Sequence, residues 1–278
     1  LSYPLNKSRI NSYKWCKTDF FIKYVLNLRS EKIQQAVGGI NIHLLLYHFY
    51  DVVDFNELKK RRHNDLETYI YDTMYSIVPD EYRPDFRERY DEVITNFASI
   101  ETARIMEYKK NHIMRKKYYF PLMREIRLED KENNMFGTLD RVDKLHPKFR
   151  YEKRKYYLVV IDYKTGKAKE LTTPNRRELT VYMKLLSKAT GIPVDRILGQ
   201  ILWLGKGGPS VSYFTYSRRT DNALQKVINE IREVMKDPKP EYFLPRFYEK
   251  KCRFCSSKPI CHNIFKYDDD GNVVFCDF

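Results

Sequence analysis

An aspartate and a lysine two residues apart close the segment Tyr156-Tyr157-Leu158-Val159-Val160-Ile161-Asp162-Tyr163-Lys164-Thr165-Gly166. A short, β-branched apolar run ended by glycine reads as a buried central strand. Side chains alternate along a strand, so Asp162 and Lys164 share one face, about 7 Å apart along the chain. A carboxylate and an ammonium at the end of a buried strand are costly unless they pair, bind a metal or do chemistry. The same acid-x-Lys spacing recurs at Glu57/Lys59, Glu107/Lys109, Glu129/Lys131, Asp237/Lys239 and Glu249/Lys251, and none of these follows such an apolar run. Alone, the motif reads as an ion pair. Asp140 on the preceding strand and His43 on an apolar helix change its meaning. Two carboxylates and an imidazole suit Mg²⁺ or Mn²⁺, the imidazole favouring Mn²⁺. Such an ion lowers the pKa of a bound water and neutralises charge on a phosphate. An ammonium beside it can orient the water or stabilise the transition state.

The second constellation is sulfur. Cys252-x-x-Cys255-x5-Cys261 supplies three ligands and lacks a fourth. His262 or Cys276 would complete a zinc site. Cys16, the only cysteine before residue 252, would instead close a [4Fe–4S] cluster.

The elements that must hold these residues follow from periodicity. Ile10, Tyr13, Phe20, Phe21 and Tyr24 fall near helical spacing, with Ser8 as a candidate N-cap. Gly38 and Gly39 open the apolar helix that carries His43. Residues 54–117 are charged and helical in pattern, and Pro79 and Pro84 break them into two blocks. They carry no recognisable chemistry and read as a helical insertion with basic segments open to phosphates or to solvent. Residues 118–130 and 134–145 alternate as strands around a turn at Asn133-Asn134. A polar loop, 146–155, leads to the strand that ends in Asp162-x-Lys164. A helix over 175–190 follows, on which Glu178 and Tyr182 are neighbours four residues apart. Strands at about 196–205 and 211–217 and a helix at about 219–236 complete the core. The loop Gly205-Lys206-Gly207-Gly208-Pro209 lacks a phosphate-loop pattern.

Composition narrows the partners. The 278 residues carry a net charge of +14, which favours a polyanion, nucleic acid before an anionic membrane surface. Twenty-three tyrosines and 16 phenylalanines would suit base stacking as well as a core. No run approaches the roughly 18 apolar residues of a membrane helix. With no signal peptide in view and no secreted disulfide framework, the expectation is an intracellular protein without a membrane, cytoplasmic in a prokaryote or virus-encoded in a host cell.

Gly39-x-x-x-His43, Gly137-x-x-Asp140-Arg141-x-Asp143, Asp162-x-Lys164 and Glu178-Leu179-x-x-Tyr182 resemble, in order and rough spacing, the RecB-like branch of the PD-(D/E)XK nucleases. The resemblance covers nearly the whole chain apart from the middle helical block. It implies one α/β nuclease domain over 1–278: a restriction-endonuclease-like mixed central sheet flanked by helices, with the insertion at 54–117. It implies that His43, Asp140, Asp162 and the carbonyl of Tyr163 bind Mg²⁺ or Mn²⁺. Lys164 is then the catalytic lysine, and Glu178 and Tyr182 complete the site. The family's helix motif usually begins with Gln, where this chain has Glu178. AddB-type and CRISPR-associated RecB-like nucleases place one cysteine in the first helix and three behind the core. Cys16, Cys252, Cys255 and Cys261 match that layout, so the resemblance implies a structural [4Fe–4S] cluster that staples the two ends, with Cys276 left over. The implied reaction is hydrolysis of DNA to 5′-phosphate and 3′-hydroxyl ends, on single strands or frayed ends, alone or beside a helicase or integrase partner. Repair, CRISPR adaptation and viral or plasmid DNA processing all use this nuclease type. Two other readings stand beside it: an iron–sulfur module that grips DNA ends without cutting, and RNA as the substrate.

Overall fold

The computed structural model describes residues 3–28, 41–167, 170–246, 252–270 and 272–276. Gly38 and Gly39, expected to open a helix, lie outside the described residues. In chain order the α-helices of the described residues are α1 (Lys7–Trp15), α2 (Lys17–Tyr24), α3 (Ile42–Val52), α4 (Phe55–Lys60), α5 (His63–Ser76), α6 (Arg83–Lys110), α7 (Lys116–Tyr119), α8 (Thr173–Thr190), α9 (Arg218–Val234) and α10 (Lys258–Ile264). The strands of the described residues are β1 (Met123–Asp130), β2 (Met135–Lys144), β3 (Arg150–Tyr151), β4 (Arg154–Lys155), β5 (Leu158–Lys164), β6 (Ile197–Trp203), β7 (Ser210–Thr215), β8 (Phe265–Tyr267) and β9 (Val273–Phe275). The chain divides into two compact units: residues 34–129 with 137–217, and residues 1–33, 130–136 and 218–278.

The larger unit is built on a mixed five-stranded sheet in the order β1-β2-β5-β6-β7. Strand β5 pairs antiparallel with β2 and parallel with β6, and β6 pairs antiparallel with β7. The apolar run of β5 is buried on both faces. Val159, Ile161 and Tyr163 join a core with Leu46, Phe49, Ile70 and Phe97 of α3, α5 and α6. Leu158 and Val160 pack instead with Leu179, Met183 and Leu186 of α8. Alternation therefore sends Asp162 and Lys164 toward α8. This is the α/β architecture of a restriction-endonuclease-like fold: a mixed central sheet flanked by helices.

Local differences from the sequence pattern have simple causes. Strand β1 begins at Met123 rather than 118, because Tyr118 and Tyr119 are buried in the helical turn α7 and Pro121 intervenes. The expected loop 146–155 contains the hairpin β3–β4, whose turn residues Glu152 and Lys153 both take positive φ (47° and 63°), the pattern of a tight hairpin turn. Helix α8 starts two residues early. Thr172 caps it, the Thr172 and Asn175 side chains bonding reciprocally to each other's backbone, and Pro174 occupies its first turn.

In the smaller unit the cap of α1 is Asn6, not Ser8: the Asn6 side chain accepts from the Arg9 N–H at 2.9 Å. The helical spacing over residues 10–24 is realised as two helices, broken at Cys16, whose backbone is extended. Phe21 stacks on Phe243 with ring centroids 4.9 Å apart. Helix α9 receives α1 through the Tyr13 hydroxyl, 3.0 Å from Glu230.

Candidate active site and sulfur centre

Four elements of the larger unit converge on the end of β5. Asp162 is 1% exposed, and its Oδ2 lies 2.7 Å from Lys164 Nζ. The same ammonium reaches Glu178 of α8 at 3.1 and 3.3 Å. Lys164 is thus held between a strand carboxylate and a helix carboxylate, with about a quarter of its side chain open to solvent. Continuing the β2–β5 register one step past Arg141↔Ile161 sets Asp140 opposite Asp162. The Asp140 carboxylate is fixed by the Tyr163 backbone N–H at 2.8 Å.

Helix α3 brings His43 to the same place. Its Nδ1 is 3.7 Å from Asp140 Oδ2 and 3.7 Å from Glu125 Oε1. The pKa of His43 is raised, chiefly through Glu125, against the opposing effect of burial and with further help from Asp140 and Asp162. One donor atom from each of His43, Glu125 and Asp140 lies within 4.8 Å of the others. Ligands at 2.1 Å from an octahedral ion stand about 3.0 Å apart when adjacent and about 4.2 Å when opposed, so a small contraction would seat Mg²⁺ or Mn²⁺. Of the expected ligands, His43 and Asp140 belong to this compact set. Asp162 lies under Lys164, and Tyr163 contributes its N–H to Asp140.

Glu125 is the residue that sequence reasoning missed. It sits in β1 among alternating charges, and its only distinctive mark is conformational. Its φ of 43° is rare for a non-glycine residue, and such strain collects at functional sites.

Tyr182 is fully buried beside these acids. Burial, reinforced by Glu178, Asp162 and Asp140, pushes its hydroxyl far above the ordinary tyrosine range, so it stays protonated. Gly137 makes room for it: a Cβ there would stand 3.2 Å from the Tyr182 ring and 3.1 Å from Leu185.

On the other face of the sheet, directly behind Asp140, lies a closed ring of charge. Arg141 donates to Asp143 at 2.7 Å and to Glu101 at 2.9 Å; Arg104 donates to Glu101 at 3.1 Å and to Asp143 at 3.2 Å. Arg141 also reaches the hydroxyls of Tyr50 and Tyr163. The ring therefore touches α3 through Tyr50, β2 through Arg141 and Asp143, and β5 through Tyr163, the three elements that carry His43, Asp140 and Asp162. Glu101 and Arg104 come from α6, in the helical block that carries no recognisable chemistry in its residue pattern.

In the smaller unit Cys16, Cys252, Cys255 and Cys261 are free thiols. Burial pushes the Cys261 thiol up to about 12, and Cys16, Cys255 and Cys252 add to the rise. Asp19, 2% exposed, ties the frame together: it accepts from Ser12 at 2.6 Å and Ser257 at 2.7 Å, pairs with Lys23 at 2.7 Å, and stands 3.9 Å from Cys255 Sγ. Cys255 of the C-terminal segment is thereby placed beside α2, the helix that Cys16 precedes.

Among the described residues no helix is long and apolar enough to cross a membrane. A family model described as the PD-(D/E)XK nuclease superfamily matches residues 4–262. No curated protein matches the chain. Among solved structures, SSO0001 aligns at 12% identity and a TM-score of 0.31, covering 72% of this chain and 95% of that one. A protein from Eubacterium rectale described as a candidate exonuclease aligns at 10% identity and a TM-score of 0.38, covering 84% of this chain and 80% of that one.

Proposed function

Because the chain belongs to the PD-(D/E)XK nuclease superfamily, a family of metal-dependent nucleases, we propose that it hydrolyses DNA at single strands or frayed ends, with His43, Asp140, Asp162, Lys164, Glu178 and Tyr182 as its working residues. The observation that carries this reading is the partly exposed Lys164 ammonium, fixed by Asp162 and Glu178 beside the His43–Glu125–Asp140 donor set.

A bound Mg²⁺ or Mn²⁺ would supply Lewis acidity toward a phosphate and acidify a water. His43, Glu125 and Asp140 would hold it, with Asp162 and the Tyr163 carbonyl as the further ligands implied by the resemblance. Lys164, held between its two carboxylates, would stabilise negative charge that develops on the phosphorus. Glu178 fixes the ammonium in position, a task open to a carboxylate where the family usually has Gln. Tyr182 keeps its proton and serves as a donor. Asp140 is oriented by the Tyr163 N–H. In the smaller unit, Cys16, Cys252, Cys255 and Cys261 would hold a [4Fe–4S] cluster with a structural role, closing the chain ends upon each other.

The test is cleavage of end-labelled single-stranded DNA with Mn²⁺ or Mg²⁺, comparing the native chain with Lys164→Ala. The protein is purified without oxygen and its visible spectrum recorded beforehand, and a matched RNA strand is run in parallel. Cutting of DNA by the native chain alone supports the reading, and the product ladder gives the polarity. DNA binding without cutting by either protein would replace the enzyme with an end-binding module.

A further inference from the structure

Two arginines are buried among the described residues, Arg141 at 1% exposure and Arg177 at 9%. They differ in one respect. Arg141 is surrounded by two carboxylates and two tyrosine hydroxyls. Arg177, 9% exposed, makes no side-chain hydrogen bond or ion pair with any described residue, and its Nε is buried without a partner. Burial lowers its pKa, and no neighbouring carboxylate offsets that effect. A guanidinium is never neutralised at ordinary pH, and one whose Nε is buried without a partner is destabilising unless an anion completes it. Nothing about Arg177 as a core residue explains its charge, since a methionine would fill the same space without that cost.

Its position says which anion. Arg177 precedes Glu178 on α8, and Glu178 holds the Lys164 ammonium. It lies in the second turn of an 18-residue helix. The planar fork of a guanidinium matches two oxygens of a phosphate. The small exposed remainder of the side chain gives a phosphate a way in from solvent. We propose that Arg177 is a substrate-recognition residue that takes a phosphate of the nucleic-acid strand, one helix position from the Lys164–Glu178 pair. The identity of the anion rests on the nuclease reading above; the existence of an anion site does not.

The experiment uses the full chain, with Arg177→Met and Arg177→Lys beside it. Binding of a fluorescent single strand is followed by anisotropy in EDTA, so that no cutting occurs, over a series of salt concentrations. Each protein's melting temperature is measured without DNA, with and without inorganic phosphate. Arg177→Met is expected to bind about tenfold more weakly, the loss of one charge-assisted contact. Its log–log salt slope should be shallower by about 0.7, the value of one phosphate contact on a single strand. Arg177→Lys should recover the slope but only part of the affinity. Without DNA, Arg177→Met should melt at or above the native temperature, because an unpaired buried charge has been removed. A structural arginine gives the opposite result: a lower melting temperature with an unchanged salt slope, and that pair of results would overturn the proposal. If the native chain binds no DNA at all, the nuclease reading fails, and inorganic phosphate decides the anion site by itself. A phosphate-induced rise in melting temperature that is lost in Arg177→Met supports the site, and an equal or absent response in both proteins refutes it.

Discussion

Replacing Glu101 with Gln should destabilise the chain by about 3 kcal/mol at neutral pH. Glu101, Arg104, Asp143 and Arg141 alternate in sign around a closed ring, two cations against two anions, with Arg141 and Glu101 both 1% exposed at their side chains and Asp143 at 3%. The substitution leaves the ring with one uncompensated positive charge. It also turns one Glu101 oxygen, which accepts from an arginine, into an amide NH₂ facing that donor. Removing one partner of a buried pair costs about 3–5 kcal/mol, and the amide oxygen retained by Gln keeps the loss near the lower end. Titration gives a second route to the number. Burial raises the Glu101 carboxyl, but Arg104 and Arg141 more than reverse this and hold it down at about 2, against an ordinary 4.5. A shift of that size is worth about 3 kcal/mol. A depressed acid stabilises above its unfolded pKa and loses that contribution as pH falls through the folded one. The native chain should therefore lose this stability between pH 4.5 and about 2, and Glu101→Gln should not, so the two converge in acid. Urea unfolding across that pH range measures both effects. Adding Arg104→Gln to Glu101→Gln restores neutrality, and the double variant should be less destabilised than the sum of the singles by at least about 1 kcal/mol. A neutral-pH loss below about 1 kcal/mol, a difference that persists in acid, or strict additivity would refute the claim that the ring behaves as one electrostatic unit.

Two further outcomes follow from the site. Glu125→Gln should raise the Mn²⁺ concentration needed for half-saturation by about tenfold or more while leaving the fold intact, and titration calorimetry without DNA reads this directly; an unchanged affinity removes Glu125 from the donor set. Gly205→Ala would place a Cβ 2.0 Å from the Thr165 carbonyl oxygen, in the turn that follows Lys164. Backbone must move, so both stability and cleavage should fall, by about 3 kcal/mol or more in stability. Gly166→Ala, whose Cβ would meet nothing within 4 Å, is the control and should stay within about 0.5 kcal/mol.

What the residues alone disclose, and what they hide, separates along one physical line. Strand β5 was legible because burial on both faces leaves an unbroken apolar run, and Asp162 and Lys164 stand out against it. Helix α8 was legible from its period and from Pro174, although its start at Thr173 depends on a cap formed by Thr172 and Asn175 that periodicity does not weigh. The break at Cys16 was not legible, because Tyr13 and Phe20 keep helical spacing across it. Glu125 and the Glu101–Arg104 pair were hidden for a different reason. Each is an ordinary charge in a charged segment until the fold carries it to a partner far along the chain: Glu125 to His43, Glu101 to Arg141. A charge run on a helix normally means a solvated face, and for most of residues 54–117 that remains the right inference. What marks the exceptions is burial, and burial of a charge is a property of the folded chain. Burial also separates two arginines that the sequence treats alike. Arg141 is completed by carboxylates within the protein, so its charge serves to hold α3, β2 and β5 in register behind the site. Arg177 is completed by nothing in the described residues, so its charge has a purpose only when something negative arrives from outside.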